Sequence, residues 1–513
     1  MLIKCFGSAI DGIEAVTITV EVSVSPGVEH HIVGLPDNAV RESLFRITSA
    51  FEHNGFKKPG KRVIVNLSPA DMRKEGTAYD LPIAIGILTA SEQIPCENLT
   101  DYLIMGELSL DGKILPIKGA LPIAIKAREE KFKGIILPRA NAAEAAVVND
   151  LEVYVVESIR EVTDLLTGSR IIEPLKFDHK QIFFSKLNNF DLDFSDVKGQ
   201  EHVKRALEIA AAGGHNVLMI GAPGSGKTML AKRMLTVMPP LTLNEALETT
   251  KIHSVAGKTG TETGLMPSRP FRSPHHIASP VSIVGGGGNP QPGEISLAHN
   301  GILFLDELPE FPRNVLEVLR QPLEDKNITI SRARYTIRYP SNFMLIASMN
   351  PCPCGYFNHP SKDCVCTQGA VARYLNKISG PLMDRIDMHI EVTPVNINDL
   401  SEKRTGEKSS AIREKVIKAR EIQSARFKNE NIHTNSMMSS RHLDSYCKLD
   451  QESIQILKLA MEKLNLSARA YDRILKLSRT IADLDGETNI LKQHLAEAIN
   501  YRSLDRDTWG IRR

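Results

Sequence analysis

The chain has 513 residues, too many for one hydrophobic core, so about two to four domains are expected. Hydrophobic residues make up 42% and charged residues 24%, and 63 basic against 61 acidic side chains leave +2, so any affinity for nucleic acid must reside in local basic patches. No apolar run approaches the roughly 18–20 residues of a membrane helix, the first residues lack the apolar core of a secretory signal, and seven cysteines, four of them clustered, do not suit a disulfide framework in so long a chain, so a cytoplasmic location without membrane partners is expected.

In chain order, the first part alternates strands and helices. Val16, Ile18, Val20, Val22 and Val24 alternate with polar residues and predict a half-buried strand, which Ser25-Pro26-Gly27 ends. Val40, Leu44, Ile47 and Phe51 share one helix face, with Pro36-Asp37 before it and Gly55 after it. A strand at 63–67, a helix around 80–91, a strand near 102–105, a turn at Asp111-Gly112 and a helix near 120–131 follow. This is an α+β domain without a nucleotide motif of its own.

Two segments of it resemble the proteolytic domain of the Lon protease family. Gly106 to Gly119 (GELSLDGKILPIKG) looks like the strand–turn–strand segment before the Lon catalytic lysine, and Glu75 to Asp80 (EGTAYD) like the segment carrying the Lon nucleophile. Residue by residue, the nucleophile position is Ala78 and the lysine position Leu121. A serine–lysine dyad needs a hydroxyl and an amine. The resemblance therefore implies a Lon-like fold without peptidase activity.

Residues 168–195 have no clean period and read as a linker. Asp196 to Gln200 then opens a helical run leading to the apolar strand at 216–220. The next eight residues, Gly221, Ala222, Pro223, Gly224, Ser225, Gly226, Lys227 and Thr228, match G-x-x-x-x-G-K-[ST] and run into helix-compatible sequence. Such a loop turns backbone N–H groups onto phosphate oxygens, and the helix N-terminus adds positive potential. Lys227 would reach the β- and γ-phosphates of ATP, and Thr228 would ligate Mg²⁺.

Further along, Pro270 to His276 (PFRSPHH), the glycine run 285–288 and Pro290 to Gly293 form an unusual stretch that reads as a mobile loop or hairpin tip. Gly301 to Glu307 (GILFLDE) is an apolar strand with two carboxylates at its C-terminal end, where open α/β sheets bind ligands. Asp306 suits Mg²⁺ and Glu307 suits polarisation of the attacking water. Residues 327–338 (NITISRARYTIR) read as a β-hairpin with Arg332 and Arg334 near its tip and Arg338 further back, a phosphate-contacting pattern or an ordinary solvated turn. A third strand, 343–347, leads to Asn350, whose amide could orient the same water.

Cys352, Cys354, Cys364 and Cys366 follow with the spacing C-x-C-x₉-C-x-C. Four thiolates suit tetrahedral zinc, with His359 as a substitute ligand; a redox pair and free thiols are the rivals. Residues 395–440 are polar and charged and read as a linker with a solvated helix. From 451 to 504 apolar residues recur at helical spacing and predict a helical lid.

Phosphate loop, Asp-Glu strand and polar sensor together resemble the AAA+ ATPases, in which active sites lie between the subunits of a ring, usually a hexamer. In that family the approach at 196–200 packs against adenine. Ser379 to Asp387 (SGPLMDRID) looks like the arginine-finger segment of the magnesium-chelatase and MCM branch, which places the finger at Arg385, with a structural salt bridge to Asp384 or Asp387 as the alternative. Ser467 to Arg469 looks like the second sensor, with Arg473 as its rival and solvated helix-face charges as the plain reading. In MCM-type motors the hairpin matching 327–338 touches DNA.

The whole chain resembles the bacterial YifB/ComM family, often labelled magnesium chelatase-like. The resemblance implies an α/β multidomain protein: a Lon-like α+β domain at 1–170, a linker at 171–195, and an AAA+ three-layer αβα core with a parallel sheet, inserted hairpins and the cysteine cluster at 196–395. A charged helical linker at 396–445 and a helical lid at 446–513 complete it. It implies a homo-hexameric, ATP-driven motor acting on single-stranded or branched DNA, a branch-migration helicase in recombination and natural transformation. The alternatives are a magnesium-chelatase ATPase subunit and an ATP-dependent protein remodeller without protease activity.

Overall fold

The computed structural model describes residues 1–96, 98–187, 190–259, 264–287, 290–332, 335–357, 359, 361–394, 406–464 and 466–502, with the backbone alone at 332 and 335. The chain divides into two compact units. The first comprises Met1–Leu187 and Thr242–Pro267, the second Asn188–Leu241 and Ser268–Arg513.

The first unit is built on a seven-stranded mixed sheet. Its spatial order is His30–Val33, Arg62–Ser68, Glu14–Ser25, Leu2–Asp11, Tyr102–Ile104, Gly134–Pro138 and Glu152–Val156. Glu14–Ser25 runs antiparallel to both its neighbours, and the remaining pairings are parallel. The alternation read from the sequence is realised from Ile18 onward: Ile18, Val20, Val22 and Val24 are buried and the residues between them half-buried, whereas Val16 is itself half-buried and Ala15 takes the buried place. The helix Asn38–His53 starts where Asp37 accepts the Val40 N–H (2.8 Å), and Gly55 turns away beyond it at φ 78°. The helix Asp80–Ala90 is buried along its whole length, so its sequence carries no polar face.

The helix Leu243–Val255 belongs to this first unit although the sequence places it between phosphate loop and Asp-Glu strand. It packs on Ala120–Glu129, and the Gly119 N–H donates to the Ser254 carbonyl (3.0 Å). Lys251 pairs with Glu14 (3.1 Å), and the Thr259 hydroxyl donates to the buried Glu144 (3.0 Å). Residues 171–187, expected as linker, also lie in this unit and include the helix His179–Lys186, with Phe183 buried.

The second unit has a five-stranded parallel sheet in the order Phe271–Arg272, Ile302–Leu305, Met344–Met349, Val217–Ile220 and Met388–Glu391. Three of these strands are buried at every position, as expected of a parallel sheet covered on both faces. Val217–Ile220 lies between strands that come late in the chain, so its C-terminal end opens at a switch point of the sheet, where α/β folds bind ligands. The helix Ser409–Arg426 is a packed element rather than a solvated linker. Ile412, Val416, Ala419 and Gln423 are buried against Glu201–Gly213, Lys227–Val237 and Ala468–Leu484. Three further helices, Gln451–Leu464, Ala468–Leu484 and Lys492–Asn500, form the helical C-terminal region. Among the described residues no helix is long and apolar enough to cross a membrane.

Candidate functional site

The strand Val217–Ile220 delivers the chain into the loop 221–226, and the helix Lys227–Val237 leaves it. Gly224 (φ 77°) and Gly226 (φ 91°) hold left-handed conformations, which is what aims successive N–H groups inward. A Cβ at Gly221 would meet the Val392 carbonyl oxygen at 2.3 Å, so only glycine fits there. The Lys227 ammonium lies over the loop and donates to the carbonyls of Gly221 (2.7 Å) and Ala222 (3.0 Å) and to Asn350 Oδ1 (3.3 Å). Burial lowers Lys227 below the usual lysine range, and the carboxylates of Asp306 and Glu307 oppose that shift.

Asp306 follows the strand Ile302–Leu305. Its Oδ2 accepts from the Thr228 hydroxyl (2.8 Å), and its Oδ1 from the Ser348 hydroxyl. Two oxygens from two motifs thus meet at one point, a donor set that suits a hard cation such as Mg²⁺. Glu307 holds a left-handed backbone (φ 54°), a conformation that costs an L-residue roughly 1–2 kcal/mol. Its exposed carboxylate lines a cavity of about 520 Å³ together with Asn350, Arg373, Tyr374 and Lys377. The structure therefore brings Lys227, Thr228, Asp306, Glu307 and Asn350 to one place at the C-terminal ends of three adjacent strands.

Several residues of this site were not singled out from the sequence: Ser348, Arg373, Tyr374 and Lys377 above, and also His276 and Gln200. His276 places Nδ1 3.7 Å from Glu307 Oε2 and packs its ring on His275 and Phe311. Gln200, left-handed at φ 56°, donates from Nε2 to the carbonyls of Ser225 and Thr393 (both 2.9 Å), tying the phosphate loop to the strand beside it. The segments 270–276 and 196–200 stand out in the sequence only as stretches, because a side chain's partner across the sheet has no local signal.

The arginines singled out from the sequence have carboxylate partners of their own. Arg385 is buried and pairs with Glu324 (2.6 Å) and the Pro381 carbonyl (2.6 Å), with neither Asp384 nor Asp387. Arg469 is exposed and pairs with Asp384 (2.9 Å). Arg473 pairs with the buried Asp387 (2.5 Å), which also accepts the Asn216 N–H (2.8 Å). Burial works to raise the Asp387 carboxyl, but the Arg473 guanidinium, His215 and the Asn216 N–H hold it well below the usual range.

The hairpin expected at 327–338 is present as Asn327–Arg332 paired with Tyr335–Pro340. Arg338 is exposed opposite Thr329, Arg332 ends the first strand, and Arg334 lies outside the described residues. A second, two-residue hairpin, Gly285–Gly286 with Gln291–Pro292, is joined to the first where the Tyr339 hydroxyl donates to the Pro290 carbonyl (2.8 Å).

The sulfurs of Cys352, Cys354, Cys364 and Cys366 lie within 4.8 Å of one another. The separations 352–354, 352–364 and 354–364 are 3.3, 3.7 and 3.6 Å, too long for a disulfide. They approach the edge of about 3.8 Å that tetrahedral Zn–S bonds would set. Backbone N–H groups of Gly355 and Phe357 point at Cys352 and those of Tyr356 and Val365 at Cys354, donors suited to thiolates. His359 is outside the cluster; its Nδ1 faces the N–H groups of Ser361 (3.2 Å) and Lys362 (3.1 Å).

Comparison with known proteins gives three successive family matches. The profile for subunit ChlI of Mg-chelatase covers residues 20–141, magnesium chelatase, subunit ChlI, covers 193–400, and its C-terminal part covers 406–502. Competence protein ComM of Haemophilus influenzae is 45% identical over 500 residues, 96% of each chain. YifB of Escherichia coli is 43% identical over 500 residues, again 96% of each chain. A Lon protease from the archaeon Thermococcus kodakarensis is 34% identical over 95 residues, 18% of this chain and 15% of its own, so the likeness to Lon is local.

Proposed function

The chain belongs to the YifB/ComM family of magnesium chelatase-like AAA+ ATPases, and from that premise we propose that it is a ring-forming motor that couples ATP hydrolysis to movement of DNA, as a branch-migration helicase in recombination. The observation that carries this reading is the near-full-length likeness to a protein named for competence. The exposed Arg338 on a hairpin that also bears Arg332, with Arg334 between its strands in sequence, supports it, because phosphate tracking needs cations on a projecting element.

In this reading the loop 221–226 and the N–H groups of the helix behind it hold the triphosphate, and Lys227 exchanges its loop carbonyls for the β- and γ-phosphates. Thr228 and Asp306 hold Mg²⁺, which neutralises charge on the phosphate oxygens when bound. Glu307 takes the proton of the attacking water and Asn350 orients that water. Arg385 serves the site of the neighbouring subunit in a hexamer, leaving Glu324 for the transferring phosphoryl group, and Arg469 is the second sensor, leaving Asp384. The first unit is a Lon-like fold without a dyad, since Ala78 and Leu121 stand at its positions, and the four cysteines hold structural zinc. A cytoplasmic setting follows from a DNA load.

A second reading is a magnesium-chelatase ATPase subunit, favoured by the three chelatase profiles. The decisive experiment measures ATP turnover with and without single-stranded and branched DNA, alongside a strand-exchange readout. Stimulation by branched DNA with strand exchange is expected. Absence of both stimulation and binding at moderate salt would overturn the motor reading.

A further inference from the structure

The four cysteines are wired into the wall of the nucleotide site. Asn350 follows the strand Met344–Met349, and Cys352 is two residues beyond it. The Gly355 N–H closes a turn onto the Cys352 carbonyl (3.0 Å), and this turn lies on the phosphate loop: a Cβ at Gly355 would meet Pro223 Cδ at 2.5 Å. On the other side of the cluster, Cys366 is followed by Thr367, whose hydroxyl caps the helix Gln368–Leu375 by accepting the Ala370 N–H (3.3 Å). That helix brings Ala370, Arg373 and Tyr374 to the cavity shared with Glu307 and Asn350.

The apolar material holding this region together is slight. Cys352, Phe357 and Val371 are buried together, the other three cysteines and Leu375 pack against them, and Tyr374 is the helix's other buried side chain. So few buried side chains do not offset the entropy of ordering two loops and a helix, at about 1–2 kcal/mol per residue of backbone. Bridging four sulfurs through one ion would, because metal binding energy becomes folding energy.

We infer that metal binding at Cys352, Cys354, Cys364 and Cys366 positions Asn350 and the helix Gln368–Leu375, so that the metal governs ATP turnover rather than ATP affinity. This rests on the zinc reading above. The phosphate loop itself is held from the other side, by Gln200 and by the sheet, so nucleotide capture does not depend on the cluster. Cys352 and its partners act through Asn350 and are positioning residues.

The test uses the full-length protein. Zinc content is measured first, with about one ion per chain expected. Ejection of the ion with a mercurial, monitored by a zinc dye, is followed by turnover and by the Kd of a fluorescent ATP analogue. Turnover should fall about tenfold or more while Kd stays within about threefold, and thiol release plus zinc should restore it. Zinc lost with turnover unchanged would overturn the inference and leave the metal reading intact. Protein with neither zinc nor zinc uptake after reduction would remove the metal reading itself. Parallel loss of affinity, turnover and helical content would show a general folding role and also overturn the inference.

Discussion

Lys227 is buried with the carboxylates of Asp306 and Glu307 acting on it among the described residues, and it makes do with neutral carbonyls at 2.7 and 3.0 Å. A triphosphate is the stronger partner, so Lys227→Ala should weaken nucleotide binding by about 2–5 kcal/mol, read by titration of a fluorescent analogue. Glu307→Gln keeps the shape and removes the proton acceptor. It should lower turnover by about 10²–10⁴-fold with affinity retained, and a variant turning over at the normal rate would exclude Glu307 as the base. Asp387 allows a pH prediction. Its carboxyl is depressed in the folded state, so its contribution is present above the unfolded value of about 3.9 and is lost as pH falls below it. Asp387→Asn should cost about 3–5 kcal/mol near neutrality and flatten the acid limb of urea-unfolding stability. That Lys227, Thr228, Asp306 and Asn350 come together was legible because glycine, lysine and threonine at fixed offsets answer to one backbone geometry. His276 and Gln200 were not, because what they touch depends on how distant strands align.

Elements with a strong period were legible for the same local reason. Ile18, Val20, Val22 and Val24 alternate because one face of their strand is covered, and Val40, Ile47 and Phe51 line the buried face of their helix. Ser409–Arg426 escaped because its apolar stripe is thin and ends in a glutamine. Gln423 is buried only because it caps the helix Glu201–Gly213 through the Ala212 carbonyl (3.0 Å) and takes the Asn435 N–H (3.0 Å), partners that sequence does not advertise. Cys352, Cys354, Cys364 and Cys366 were legible as a group, whereas the exclusion of His359 followed from the turn that spends its ring on backbone N–H groups. At this scale the hairpin makes its own prediction. Arg338→Ala should lower DNA affinity and reduce the slope of log K against log salt by about one, and an unchanged slope would remove that residue from the interface.

In the whole molecule the chain passes between the two units three times, at Leu187–Asn188, Leu241–Thr242 and Pro267–Ser268. The sequence, read in order, predicts a simple succession of domains, because an inserted segment looks like any other stretch of the domain it interrupts. Deleting residues 1–187 would strand the helix Leu243–Val255, whose Ala246, Ile252 and Val255 are buried within the first unit. Such a truncation should aggregate on size-exclusion chromatography. Removing Thr242–Pro267 as well, with a short glycine–serine bridge, should restore solubility.

The same threading gives the first unit a thermodynamic stake in the nucleotide. The residues flanking Thr242–Pro267 on both sides, Leu241 and Ser268, belong to the second unit. If it unfolds, that segment must be kept on the first unit by closing a loop through residues 188–241, at an entropic cost on the order of 3 kcal/mol. Ligand binding that stabilises the second unit therefore withholds this cost from the first. Saturating ATP should slow hydrogen exchange in Leu243–Val255, a helix that contributes none of the nucleotide-site residues named above.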